Sequence, residues 1–158
     1  MKSELDSFLI KAKSDIDLAL SKFVAQEIKE LLSIGEELIP VGEALSRFIL
    51  DGGKRLRPLF ALLGYLGGGN EPSDAELNAA AALELIHVCA LIHDDLMDGS
   101  DTRRGAPSIH KEFERWHRQN GRSGSPQQYG ASAAILLGDL ALVWAEKALY
   151  QSGLKSDQ

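Results

Sequence analysis

Apolar residues recur at three- and four-residue steps early in the chain: Leu5, Phe8, Leu9, Ala12, Ile16, Ala19, Leu20, Phe23, Val24, Ile28, Leu31 and Leu32. That spacing lays one apolar stripe along a helix, so a long amphipathic first helix is predicted, broken at Ile34 and Gly35. A second helix is expected over 36–50 with Pro40 in its first turn, and a third over 56–66, stopped by Gly67, Gly68 and Gly69. Between these two, Gly52 suits the left-handed position after a helix, and Pro58 suits the first position of the next one. Ser73 and Glu76 have capping-box spacing and start the apolar helix that leads to a cluster of aspartates.

Beyond the aspartates, residues 105–118 predict a short helix with Pro107 near its start. Residues 120–127 (NGRSGSPQ) form a polar, Gly/Ser-rich loop, the stretch most open to motion and proteolysis. The last helix is expected over 129–151 and is apolar nearly all round. Its segment 131–145 has the character of a membrane span, but Asp139 and the short apolar length make it a buried core helix instead. No strand pattern or internal repeat is visible. The chain therefore reads as all-α, with 1–158 as a single helical domain.

Composition narrows the class. An apolar content of 44% with only 6% aromatic residues favours packed helices over sheet. A net charge of −6 argues against nucleic acid as a partner. Cys89 is the single cysteine, so no intrachain disulfide forms and a reducing, cytoplasmic location is expected. The polar start of the chain carries no signal-peptide pattern.

The chemistry concentrates in two motifs. In His93-Asp94-Asp95-Leu96-Met97-Asp98, helical spacing sets Asp94 and Asp98 one turn apart on one face. Two carboxylates so close disfavour joint ionisation, and a hard divalent cation such as Mg2+ resolves the conflict while also accepting phosphate oxygens. Arg103 and Arg104 follow with planar forks suited to the same phosphates. Upstream, Gly52-Gly53-Lys54-Arg55-Leu56-Arg57-Pro58 brings three cations to a helix start, where the exposed N–H groups favour an anion. His87, two turns before Asp94, reads on residue type alone as a satisfied core histidine, and Asp101 as a loop cap.

GGKRLRP followed by DDLMDGSDTRRG resembles the trans-polyprenyl diphosphate synthases, the head-to-tail isoprenyl transferases. The resemblance implies an isoprenoid-synthase-type helical bundle, here only its N-terminal helices, and a homodimer. It also implies Mg-dependent condensation of an allylic diphosphate with isopentenyl diphosphate. On that basis Asp94 and Asp98 hold Mg2+ and Asp95 acts at one remove. Lys54, Arg57, His87 and Arg104 hold isopentenyl diphosphate, and Arg103 contacts the allylic diphosphate. Asp94, Asp98, Arg103 and Lys54 form the catalytic set. In this family a bulky aromatic just before the aspartates stops chain growth. Cys89 and Ala90 are small, so geranylgeranyl diphosphate is the expected product, with longer polyprenyl chains as the alternative.

The family also carries a second aspartate-rich motif and a Lys-Thr pair. Here the carboxylates after Asp101 are Glu112, Glu114, Asp139, Glu146 and Asp157, with no DDxxD among them. The chain thus reads as half of an active site, inactive alone, from a truncated or proteolysed product, with a naturally short relative as the alternative. A terpene cyclase is disfavoured because it needs no second diphosphate site. A non-catalytic regulatory subunit of a heteromeric prenyl synthase stays open.

Overall fold

The computed structural model describes residues 2–155. Six helices follow in order: α1 (Lys2–Ile34), α2 (Ile39–Leu50), α3 (Leu56–Gly67), α4 (Asp74–Met97), α5 (Ile109–Gln119) and α6 (Pro126–Tyr150). The all-α expectation holds, with one addition. A two-stranded antiparallel ribbon, β1 (Thr102–Arg103) with β2 (Ala106–Pro107), sits between α4 and α5. Two-residue strands are too short to show an alternating pattern, which is why the sequence did not reveal them. Gly105 and Pro107 are spent on this ribbon, so α5 begins at Ile109 rather than at 105.

The chain divides into two compact units, one reaching Ile86 and resuming at Val143, the other spanning His87–Leu142. In the first, Ala12, Ile16, Leu20 and Val24 form the buried stripe of α1, at the four-residue steps expected of a helix face. Leu45, Ile49, Leu62 and Leu85 complete that core, and Phe23 meets Trp144 edge-on at 6.4 Å. Lys147 pairs with Glu27 and Glu30, each at 2.7 Å, and ties α6 to α1.

A single helical turn (Glu36–Leu38) leads into α2, where Pro40 occupies the first turn. Gly52 does take positive φ after α2, but Pro58 is the third residue of α3, not the first. The capping box forms as expected. The Ser73 N–H donates to Glu76 Oε2 at 2.7 Å, and the Ala75 N–H donates to Ser73 Oγ at 3.2 Å. Hydrogen bonds from the Ser73 hydroxyl and backbone hold the Glu76 carboxyl below its usual value.

In the second unit, Val88, Ile92, Ile109, Phe113, Ala134, Leu137 and Ala141 are buried. Gly138 lets α6 approach α4 closely, because a Cβ there would overlap the His93 ring. The 120–127 loop is tied down. Ser123 O accepts from His117 Nε2 at 3.1 Å, and Arg122 lies 5.3 Å over the Trp116 ring. Tyr129 stacks on Trp116 at 5.9 Å, fastening the start of α6 to α5.

Among the described residues, the helix long and apolar enough to cross a membrane is α4, in which an 18-residue window has a mean hydropathy of 1.6, rather than α6. Half of that window is buried, and Glu84 within it is ion-paired to Arg55, the pattern of a core helix. Asp139, Ile135, Leu136 and Leu142 are exposed on α6, so it is not buried all round.

Candidate functional site: the aspartate helix end and its arginine ribbon

The last turns of α4 carry the acidic cluster. The Asp98 N–H donates to the Asp94 carbonyl at 2.8 Å, so the helical register persists one residue past Met97 and both carboxylates share a face. Asp94 and Asp98 are exposed, whereas Asp95, turned about 100° round the helix, is 1% exposed. The helix then stops in a Schellman motif. The Ser100 N–H reaches the Asp95 carbonyl at 2.8 Å, the Gly99 N–H reaches Leu96 O at 3.3 Å, and Gly99 takes a φ of 64°.

That stop reverses the chain into the β1–β2 ribbon. Thr102 faces Pro107 and Arg103 faces Ala106, leaving Arg104 and Gly105 as the turn. Both turn residues have positive φ, 51° and 80°, which is a type I′ pattern. Arginine rarely adopts this conformation, so the ribbon holds Arg104 at its tip against a local preference. Asp101 anchors the base of the ribbon, taking the Ser108 N–H on its carbonyl at 3.1 Å and Lys111 on Oδ1 at 3.2 Å. The loop role expected for Asp101 fits this pairing.

The ribbon brings Arg103 back over the helix end. Its Nε and Nη2 donate to Asp95 Oδ2 and Oδ1, both at 2.7 Å, a two-pronged pair, and Nη2 also lies 3.4 Å from Asp94 Oδ2. Hydrogen bonding to Asp95 outweighs partial burial and pushes the Arg103 guanidinium further up. Asp95 is therefore the anchor of Arg103. No local pattern signals that contact, because the partners lie eight residues apart across a turn.

His87 lies half-buried on the Asp94 face, seven residues back. Ala90, four residues before Asp94, is exposed on that same face. Cys89 lies about 140° away round the helix and reaches the His93 ring, Sγ to Nδ1 at 3.9 Å. Burial, with the nearby Asp139 charge, holds its thiol above the usual range. The two residues singled out for product length thus face different surroundings.

His87, Asp94, Asp98, Arg103 and Arg104 belong to the His87–Leu142 unit, and Lys54 and Arg57 to the other. Lys54 and Arg57 are exposed beside the α3 N-terminus. Arg55 corrects the sequence reading. It does not join them as an anion ligand, because it is 2% exposed and engaged by Asp17, Glu84 and the Ile49 carbonyl.

No cluster of three or more metal-ligating side chains occurs among the described residues. Asp94 and Asp98 are nevertheless two exposed oxygen donors on one helix face, which fits a hard cation that takes one or two carboxylates and fills its remaining positions with water and phosphate. Arg104→Gly is expected to hold or raise the unfolding midpoint, since relieving the left-handed arginine is worth ~1 kcal/mol. Its affinity for inorganic pyrophosphate should fall, and calorimetric titration beside thermal unfolding checks both.

Similarity to known proteins places this helical chain in a class. The polyprenyl synthetase family model matches residues 40–157, and the chain belongs to that family. It is 36% identical over 141 residues to the short chain isoprenyl diphosphate synthase of Methanothermobacter thermautotrophicus, covering 88% of this chain and 37% of the relative. It is 35% identical to geranylgeranyl pyrophosphate synthase 11, chloroplastic, of Arabidopsis thaliana, covering 96% of this chain and 36% of that protein. Among solved structures, geranylgeranyl pyrophosphate synthase from Corynebacterium glutamicum, complexed with isoprenyl diphosphate and magnesium, superposes with a TM-score of 0.85 at 44% identity. That match covers 92% of this chain and 42% of the other. The chain thus spans a little over a third of the length of these two curated relatives.

Proposed function

We propose that the protein carrying this chain condenses an allylic diphosphate with isopentenyl diphosphate in a Mg2+-dependent reaction, making geranylgeranyl diphosphate. The observation that carries the reading is the placement of Asp94 and Asp98 on one exposed face with Arg103 fixed beside them by Asp95. Mg2+ held by Asp94 and Asp98 would neutralise the charge of a departing diphosphate. Arg103 contributes a fixed guanidinium to the allylic diphosphate. Lys54, Arg57, His87 and Arg104 are assigned to isopentenyl diphosphate. No nucleophilic side chain is required, because the double bond of isopentenyl diphosphate attacks the allylic carbon and the product then loses a proton. A homodimer in the cytoplasm belongs to the same proposal. So does inactivity of residues 1–158 alone, which cover only part of each relative.

The test supplies the full-length protein with isopentenyl diphosphate, each short allylic diphosphate and Mg2+, and resolves products by length. Mg-dependent elongation ending at twenty carbons is expected, and its absence with every allylic partner would remove the reading. Product length gives a further prediction. Each buried CH2 is worth roughly 0.8 kcal/mol, so a tail grows until it meets a wall. Ala90 lies on the Asp94 face, so Ala90→Phe should shorten the products toward farnesyl or geranyl diphosphate. Cys89→Phe, directed toward His93, should have the smaller effect on length. Unchanged product lengths for both variants would mean that the tail does not pass these residues.

A further inference from the structure

Arg55 lies between two exposed cations in the sequence yet is itself 2% exposed. Its Nε donates to Asp17 Oδ1 at 2.7 Å, Nη1 to Glu84 Oε1 at 3.0 Å, and Nη2 to the Ile49 carbonyl at 3.0 Å. The acceptors come from α1, α4 and α2, all within the first compact unit. Three acceptors in different directions fix the guanidinium plane, and with it the backbone that carries the side chain.

That backbone needs fixing. Arg55 has φ 51° and ψ 36°, a left-handed conformation unfavourable for a residue with a long side chain. It is also the N-cap of α3, and with its side chain turned inward it makes no capping bond to that helix. The cations Lys54 and Arg57, one and two positions away, are left exposed beside the helix start.

Charge neutralisation alone does not account for this arrangement. Asp17 already has Lys13 at 2.6 Å, and Lys13 and Arg55 together outweigh burial to hold its carboxyl below the usual range. A lysine could neutralise Glu84 but could not reach all three acceptors with fixed directions. A buried ion pair is also seldom needed for stability, since apolar residues of similar volume often serve as well.

We propose that Arg55 is a positioning residue: tethered to Asp17, Glu84 and the Ile49 carbonyl, it locks the 51–57 turn so that Lys54 and Arg57 receive a diphosphate that Arg55 never touches. The inference rests on the diphosphate role proposed for Lys54 and Arg57.

Two variants of the full-length protein test it. Arg55→Lys keeps a charge beside Glu84, and Arg55→Met with Glu84→Leu removes the pair without stranding a buried carboxylate. Thermal unfolding, amide hydrogen exchange over 51–57, and KM and kcat for each substrate are measured together. Both variants should stay folded and exchange faster across the turn than the wild type. The KM for isopentenyl diphosphate should rise by about 10- to 100-fold, as expected when a binding group is misplaced by about an ångström. The allylic KM should stay within about threefold, because only the isopentenyl diphosphate subsite is disturbed.

Folded variants with wild-type exchange over 51–57 would overturn the inference, as would faster exchange with an unchanged KM in an active enzyme. A wild-type protein that exchanges slowly over the turn but neither binds nor turns over isopentenyl diphosphate would instead overturn the diphosphate reading, and this inference with it.

Discussion

Asp94→Ala is expected to lower turnover of the full-length protein by roughly two or more orders of magnitude, the loss typical of a group that stabilises mainly the transition state. Its folding should hardly change. The Asp94 side chain is 54% exposed, and its ion-pair contact with Arg103 is at 3.4 Å. That separation of effects makes the variant informative. If Asp94 helps to hold a divalent cation, the Mg2+ concentration needed for half-maximal activity should rise together with the fall in kcat. Steady-state assays over a Mg2+ series, beside a thermal melt, read both quantities. Near-normal turnover would remove the central claim about the site.

Arg103→Met should act differently, costing stability as well as activity. Asp95 is 1% exposed and has Arg103 as its two-pronged partner, so the substitution leaves a buried carboxylate without its cation. Breaking a buried pair from one side costs about 3 kcal/mol or more. Arg103 is itself partly exposed, which argues for the lower end. Combining it with Asp95→Asn removes the stranded charge and should recover most of the lost stability, while turnover stays low because the guanidinium is gone. Denaturant unfolding of both variants checks the first part, and kcat the second. If the double variant regained turnover along with stability, Arg103 would be a structural strut and not a diphosphate ligand.

These two residues show how unevenly the site was legible. The i, i+4 relation of Asp94 and Asp98 is a property of any helix, and the apolar run before them made the helix plain. The contact between Asp95 and Arg103 depends on the Schellman stop at Gly99 and on a turn in which Arg104 accepts positive φ. Arg104 lacks the glycine or asparagine signature of that turn, so the sequence pattern there predicts the start of a helix in place of the ribbon. Arg55 groups with Lys54 and Arg57 in the sequence, which shows charge and not direction. Its partners Asp17 and Glu84 lie 38 and 29 residues away, and no local rule connects them.

Local periodicity and capping determined the all-helical class, the order of the helices and the two motifs, because each depends on residues within a turn or two of one another. The Ser73–Glu76 box and the α1 stripe are of this kind. What needed tertiary structure was the direction of each charge. Packing turned Arg55 and Asp95 inward while leaving Lys54, Arg57, Asp94 and Asp98 exposed. It likewise set Cys89 against His93 while Ala90 stayed open. The physical reason is that burying a charge is tolerable only where a partner of fixed geometry meets it, and such partners here are brought together by chain reversals and helix packing rather than by neighbouring positions in the sequence.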